Sequence, residues 1–315
     1  MNGLHAALPA LLLTLQISLA AAAPEPAKKP QPDKTAASGK ASKKSSEPAR
    51  LAKRREELAA GLSQLGAQWA QRQAWVFHDD LDIPRFLLDS VTEYYTGPPS
   101  SLSAAFTDLC RAADNGSVQD QVMAGRTWDA ARNWEKDVNG TSAGAEFKAT
   151  HYYALAAMQG NAEGMFRMGL HHQMNLGVTD SKVGTALKWY SKAYKAGERK
   201  AQLMIGMIGL AMTYPGAKKI DERYGISVFA FEQLSKDPDR GLRGPASYLL
   251  AMLKLTGKGT ARDDARAVEL LRRAGADGVT GVHEFLAELH AMGLKEAAPP
   301  PMPAVAVPPP AESPK

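Results

Sequence analysis

The sequence predicts an all-α protein folded as a right-handed solenoid of stacked helical hairpins, because its central region repeats itself. Residues 152–160 return as residues 189–197, a shift of 37 positions. The same shift carries Gly164 to Ala201, so one period aligns both helices of a hairpin. Stacked α-helical repeats have periods of about 33 to 47 residues. Such arrays present a long surface, which favours holding a partner over catalysis.

Glycines supply the second observation. A glycine follows each predicted second helix, at positions 116, 160, 197 and 278. Glycine readily adopts the left-handed conformation that ends a helix. These positions therefore predict C-caps that turn the chain into the next hairpin.

Residues 1–22 have the pattern of a secretory signal peptide. Residues 6–23 are apolar apart from Thr14, Gln16 and Ser18, and the small side chains before residue 23 suit cleavage after Ala22. An uncleaved membrane anchor is an alternative, because about 18 apolar residues can just span a bilayer. We therefore expect export to the periplasm, with secretion as a further alternative.

Residues 23–46 form a Lys-, Pro- and Ala-rich linker that we expect to be disordered. The net charge of residues 23–55 is +7 and that of the whole chain is +5, so the rest of the chain is close to neutral. Specific nucleic-acid binding is therefore not expected of the folded part. Contact of the basic leader with anionic lipid or wall polymer is the alternative to a solvated tether. Residues 296–315 form a Pro-rich tail that we also expect to be disordered.

Between these segments lie an N-terminal helical region, residues 47–100, and the solenoid, residues 101–295. A basic helix is expected near residues 47–73 and a second near residues 84–95, where Pro84 suits a helix start. The solenoid is expected to have four to five hairpins. The single cysteine, Cys110, excludes an intrachain disulfide, so stability must come from packing.

Within each hairpin, small residues are predicted where the two helices approach most closely: Gly169, Gly206 and Ala251 fill this position. The second helices carry apolar residues at i, i+3, i+4 and i+7. These are Ala186, Trp189, Tyr190 and Ala193 in one hairpin and Ala267, Leu270, Leu271 and Ala274 in another.

These residues resemble the Sel1-like repeat, a relative of the tetratricopeptide repeat. The best match is residues 162–197, and a second is residues 246–278, whereas residues 201–241 depart from the pattern. In the first match the pattern is carried by Met168-Gly169, Gly177-Val178, Asp180, Ala186, Trp189-Tyr190, Lys192-Ala193 and Gly197. The resemblance implies an exported bacterial adaptor, scaffold or regulator of an envelope assembly, binding envelope proteins without catalysis. A cell-wall or polysaccharide-binding protein or hydrolase, and a secreted factor acting on another cell, are the alternatives.

In such arrays the first helices line the concave face, and the period identifies the side chains that project into it. A mostly apolar row of this kind suits a peptide or helix from a partner. The alternative is that a register error of a residue or two buries these side chains in the core. The row consists of Met123, Thr127, Arg167, His171, Met204, Ile208, Leu249 and Leu253.

No catalytic residue, metal ligand or cofactor site is expected. His283-Glu284 lacks the second histidine of a zinc-protease motif, because Ala287 occupies that position. His172 and His290 each lie twelve residues after a closing glycine, as Trp128 does, which predicts a packing role. The acidic segment 78–84 could hold a cation, but its Asp-Ile-Pro sequence favours a helix start.

Overall fold

The computed structural model describes residues 48–96, 104–212 and 220–298. The predicted signal peptide, linker and most of the Pro-rich tail lie outside these residues, as do residues 213–219 of the segment that departs from the repeat pattern. The described residues form twelve α-helices and no strand, which confirms the all-α prediction. None of the described helices is both long enough and apolar enough to cross a membrane.

The helices follow one another with short connections. They are α1 (Ala49–Asp79), α2 (Arg85–Thr96), α3 (Ala104–Asp114), α4 (Val118–Asn139), α5 (Ala143–Met158), α6 (Ala162–Met174), α7 (Val183–Lys195), α8 (Arg199–Ala211), α9 (Ile220–Leu234), α10 (Arg240–Thr256), α11 (Asp264–Ala276) and α12 (Val282–Ala291). A short 3-10 helix, Lys295–Ala297, follows. The two expected N-terminal helices are present as α1 and α2, and α1 continues past the expected end at residue 73.

Consecutive helices from α4 to α11 pack as four antiparallel hairpins, and each hairpin packs against the next. The hairpins are α4–α5, α6–α7, α8–α9 and α10–α11, with α3 packed before the first and α12 after the last. This arrangement confirms the helical-hairpin solenoid within the described residues.

The closing glycines have the conformation that the sequence predicts. Gly116, Gly160, Gly197 and Gly278 have φ between +83° and +99°. At each, the following amide donates a hydrogen bond to a carbonyl five residues earlier, for example Asn161 to Ala156 at 3.1 Å. This bond satisfies a terminal carbonyl that the helix itself leaves unpaired.

In each of the first three hairpins, a glycine of the first helix packs against an aromatic ring of the second helix. A Cβ atom on Gly169 would lie 2.5 Å from the ring of Tyr190, and one on Gly206 would lie 2.6 Å from the ring of Phe231. Gly125, which the sequence analysis did not identify, lies equally close to Tyr153. Phe231 thus replaces the aromatic residue of the repeat pattern in the divergent third hairpin.

Candidate functional site

Helix α1 lies along the row of first helices that the sequence predicts to line the concave face. It packs mainly on α8 and α10 and touches α6 near its C-terminal end. Its buried side chains recur at spacings of three, four and seven, as expected of a helix with one apolar stripe. They are Leu51, Arg55, Leu62, Gly66, Ala70, Gln73, Ala74, Phe77 and His78. A segment of the chain itself therefore covers this face.

All eight residues predicted for the concave row are buried or half-buried. Met204, Ile208, Leu249 and Leu253 belong to the core that α1 joins. On α6, Arg167 and His171 contact the C-terminal end of α1. On α4, Met123 is half-buried and accepts a hydrogen bond from Thr127. Partner binding by this row stays a prediction, because α1 occupies the face in the structure.

The α1 midsection, residues 62–70, is held by close packing. A Cβ atom on Gly66 would lie 2.6 Å from the backbone nitrogen of Ala211, so only glycine allows this approach of α1 to α8. Trp69 stacks on Tyr248 of α10 with ring centroids 5.3 Å apart. The Ser63 hydroxyl donates to the Ala211 carbonyl at 2.6 Å. These contacts fix the position of α1 along α8.

The N-terminal part of α1 is tied to the last hairpin by charge. The buried Arg55 guanidinium donates to both carboxylate oxygens of Asp264 at 2.9 and 2.8 Å. It also donates to the Leu255 carbonyl at 2.6 Å, near the C-terminal end of α10. A bidentate arginine–carboxylate pair is stronger and more directional than a single contact.

The α1 terminus, residues 77–80, is held by a buried arginine. The Arg167 guanidinium, whose side chain is 2% exposed, donates to the carbonyls of Phe77, His78 and Asp80 at 2.8 to 3.1 Å. The last carbonyls of a helix lack partners within the helix and carry partial negative charge. Arg167 therefore supplies both the missing donors and a compensating positive charge.

In the acidic segment after α1, the Asp80 carboxylate and the Asp82 backbone carbonyl contact basic side chains. Asp80 accepts from Lys200 at 2.9 Å, and this hydrogen bond lowers the pKa of Asp80. The Asp82 carbonyl accepts a hydrogen bond from Arg126, whose guanidinium also donates to the Glu163 carboxylate. The helix start predicted around Pro84 is present, since α2 begins at Arg85.

Three buried titratable side chains meet beside the α1 terminus: His78 from α1, Asp129 from α4 and His171 from α6. The Nε2 atoms of His78 and His171 lie 3.5 and 3.2 Å from Asp129 Oδ1. Burial lowers the pKa of His78, but the nearby carboxylates of Asp129 and Asp79 outweigh it and raise that pKa above the usual range. Burial acts to raise the pKa of Asp129, yet His171 and His78 hold it well below the usual range.

The three residues that lie twelve positions after a closing glycine differ in their surroundings. Trp128 is buried, His172 is half-buried and hydrogen-bonded to the Asp180 carbonyl, and His290 is exposed. These equivalent positions of the repeat therefore do not share one packing role. The packing role predicted for His290 is wrong, because its side chain is exposed.

The outward face of α7 combines lysines with aromatic side chains. Helix α7 contains three lysines and no carboxylate. Lys188, Lys192 and Lys195 are exposed, Tyr194 is 39% exposed, and the Lys192 ammonium lies 4.3 Å above the Trp189 ring. Trp189 and the three lysines line one shallow depression.

The Sel1 repeat family model matches residues 146–161, 162–198 and 244–279 of the chain. Sel1 repeats typically serve as protein–protein interaction modules and are generally not catalytic. The matched segments agree with the two repeats that the sequence analysis identified, and residues 201–241 are unmatched. A comparison with curated proteins gives no significant match.

Two solved structures are similar to the chain. One is a protective antigen present in uropathogenic Escherichia coli strains and displaying an SLR fold, with 21% identity, a TM-score of 0.49, and coverage of 78% of this chain and 49% of that chain. The chain thus spans about half the length of that protein. The other is a Sel1 repeat protein from Oxalobacter formigenes, with 21% identity, a TM-score of 0.46, and coverage of 74% and 93%.

Sequence reasoning missed the residues that meet only in the folded chain. Asp129 has no local signal, because it is one acidic residue in a helix that contains several. Gly66 could have been suspected, since a glycine inside a long helix has a cost that usually reflects close packing. His78 was noted only as part of the acidic segment.

Proposed function

We propose that the protein is an exported, non-enzymatic interaction module that scaffolds or regulates a bacterial envelope assembly, and that it binds its protein partner on the outward face of α7. The Sel1 repeats support the interaction role. The observation that carries the site is the basic and aromatic face of α7, which contains no acidic residue and is open to solvent.

The chemistry of this face defines the partner. Aromatic side chains are enriched in protein interfaces because they bury a large area with few rotatable bonds. The three lysines attract negative charge and suppress basic partners. The expected ligand is therefore a protein segment that presents acidic and apolar side chains together.

The concave face is a less suitable site while α1 is in place. A partner helix could reach Met204 or Leu249 only after α1 had left, because both side chains are fully buried. Departure of α1 would break the Arg55 pair with Asp264 and expose the glycine contact at Gly66. The outward face needs no such rearrangement.

Crosslinking in intact cells tests this proposal. The tagged full-length protein is crosslinked in the organism that makes it, and the captured species are identified by mass spectrometry. The variant Lys188→Glu/Lys195→Glu reverses two charges on α7 and is expected to lose a discrete envelope protein that the wild type captures.

The matched control is Lys236→Glu/Lys258→Glu, which makes the same change in net charge at two exposed lysines outside α7. The control should retain the partner, and circular dichroism should show that both variants are folded. Equal capture by both variants would reject the α7 site. Capture of wall polymer alone would favour the polysaccharide-binding alternative.

Export rests on residues 1–22 and has its own test. Mass spectrometry of the N-terminus of the protein isolated from its native cells should find Ala23 as the first residue. An N-terminus at Met1 in a soluble fraction would reject export, and Met1 in the membrane fraction would indicate an uncleaved anchor.

A further inference from the structure

The cluster of His78, Asp129 and His171 has the composition and spacing of a metal site. Each side chain offers one ligand atom, and these atoms all lie within 4.8 Å of one another. The three residues are 0 to 2% exposed. Within the described parts of the chain, no other group of histidine, cysteine and acidic side chains is placed in this way.

The outer nitrogen of each histidine faces a hydrogen-bond acceptor. His78 Nδ1 lies 3.0 Å from the carboxylate of Asp79. His171 Nδ1 lies 3.1 Å from the Leu176 carbonyl and 2.7 Å from the Thr150 hydroxyl, which itself donates to that carbonyl. These partners can accept the ring hydrogen of a neutral histidine that carries it on Nδ1, although His171 Nε2 also lies 3.3 Å from Asp129 Oδ2. The lone pairs on Nε2 then point inward, as they do in histidines that bind metal ions.

The inward atoms are poorly satisfied by the protein alone. His78 Nε2 and Asp129 Oδ1 are buried and have no hydrogen-bond partner in the structure. Asp129 Oδ2 accepts from the Tyr153 hydroxyl at 2.8 Å, which fixes the carboxylate. Leaving buried polar atoms unpaired is costly, and with both ring hydrogens on Nδ1 the two Nε2 lone pairs and the Asp129 carboxylate would face and repel one another. A cation between them would remove both problems.

The two separations from the Asp129 carboxylate fit a tetrahedral ion. Zinc binds histidine nitrogen and carboxylate oxygen at about 2.0 to 2.2 Å, which places neighbouring ligand atoms of a tetrahedron roughly 3.3 Å apart. The observed separations from Asp129 Oδ1 are 3.5 Å for His78 and 3.2 Å for His171. Two imidazoles and one carboxylate suit zinc and similar transition metals, whereas calcium and magnesium prefer sites made only of oxygen.

A carboxylate outside the cluster lies close enough to offset part of the charge of a bound ion. Two neutral histidines, one carboxylate and a divalent ion carry a net +1, which the carboxylate of Asp79 offsets from behind His78. The same Asp79 carboxylate lies 3.7 Å from Arg132, and Glu163 pairs with both Arg126 and Arg167, so these two carboxylates are shared among the nearby positive charges. We propose that His78, Asp129 and His171 bind a divalent transition-metal ion, with zinc as the best fit, and that the ion fastens the α1 terminus to α4 and α6.

Metal titration of the full-length protein, stripped with chelator, tests the site. Cobalt(II) serves as the spectroscopic probe, because tetrahedral cobalt absorbs visible light far more strongly than octahedral cobalt. One equivalent should give the tetrahedral spectrum, and zinc should displace it. Zinc at about 100 times its Kd should raise Tm by roughly 5 to 10 °C.

Variants separate this site from surface binding. His171→Gln should weaken binding by at least about 100-fold, whereas His172→Gln, at the next position and half-buried, should not. Since a ligand variant could fail to fold, Asp79→Asn provides a second measurement at a 65% exposed position. It removes only the group behind His78 and should weaken binding about 10- to 100-fold. Asp89→Asn, at a 61% exposed aspartate on α2, is its control.

Two results would overturn the proposal. One is a wild-type protein that gives no tetrahedral cobalt spectrum, which would mean that protons, not a metal ion, hold the cluster together. The other is metal binding that is unchanged in both His171→Gln and Asp79→Asn, which would place the ion elsewhere on the chain.

Discussion

The α1 midsection and the α1 terminus are two parts of one helix, and they are held to the solenoid by different forces. The midsection packs through Leu62, Gly66 and Ala70 against apolar side chains and backbone of the first helices. The terminus is held by the buried Arg167 and by the cluster around Asp129. Apolar packing contains no ionisable group, whereas the charged groups at the terminus can bind protons and metal ions.

This difference shows which part of α1 can change its attachment to the solenoid when solution conditions change. The packing of the midsection on the first helices depends on shape complementarity and changes little with solution conditions. The contacts of the terminus depend on ionisable groups. Conditions that alter the charge of these groups therefore change the stability with which the last turn of α1 is attached. Four substitutions test the division, from the largest expected effect to the smallest.

Met204→Asp should have the largest effect, because Met204 is fully buried on α8 beneath α1. An ionised carboxylate without a partner there should lower the free energy of unfolding by roughly 5 kcal/mol or more. Urea denaturation followed by circular dichroism measures the change. Met158→Asp, at an 80% exposed methionine, should cost less than about 1 kcal/mol. Similar losses in both variants would mean that α1 does not cover α8 in solution.

Arg167→Leu should cost about 3 to 5 kcal/mol of stability, because it leaves three carbonyls of the α1 terminus without donors. Hydrogen exchange should show the last turn of α1 opening before its midsection. The control is Arg72→Leu on α1, at an exposed arginine, which should change stability by less than about 0.5 kcal/mol. Unchanged exchange in the last turn would refute the role assigned to Arg167.

Gly66→Ala and Gly61→Ala are the same substitution in the same helix and should have opposite signs. At Gly66 the new methyl group would meet the backbone of Ala211, so a loss of about 1 to 3 kcal/mol is expected. At Gly61 nothing lies within 4 Å of the added Cβ atom. Alanine there should stabilise the helix by about 0.5 to 1 kcal/mol. Thermal denaturation measures both, and stabilisation by Gly66→Ala would contradict the close approach to α8.

Asp80→Asn should have the smallest effect, less than about 1 kcal/mol, because its pair with Lys200 is partly exposed. The lowered pKa of Asp80 means that its contribution is present above the unfolded pKa of about 3.9 and is lost as pH falls. Salt should screen the pair and reduce the difference from wild type. A loss above 2 kcal/mol that is insensitive to salt would show a role beyond this surface contact.

The sequence predicts much of the fold because the repeat depends on local physics. Helical spacing, closing glycines and the small residues at Gly169 and Gly206 each act within a single hairpin. The same reasoning predicts a row of first-helix side chains on one face, including Met204 and Leu249, and partner binding by that row stays a prediction. It could not show what covers that face, because the covering helix lies well over a hundred residues earlier in the chain.

The sequence by itself determined the all-α class, the hairpin register and the four left-handed glycines, since these depend on residues that are neighbours along the chain. Only the tertiary structure decided that α1 fills the face of the first helices and that His78, Asp129 and His171 meet beside its end. The physical reason is that no local pattern specifies contacts between helices separated by 40 to 200 residues. Such contacts arise from shape and charge complementarity that exists only once the hairpins have stacked.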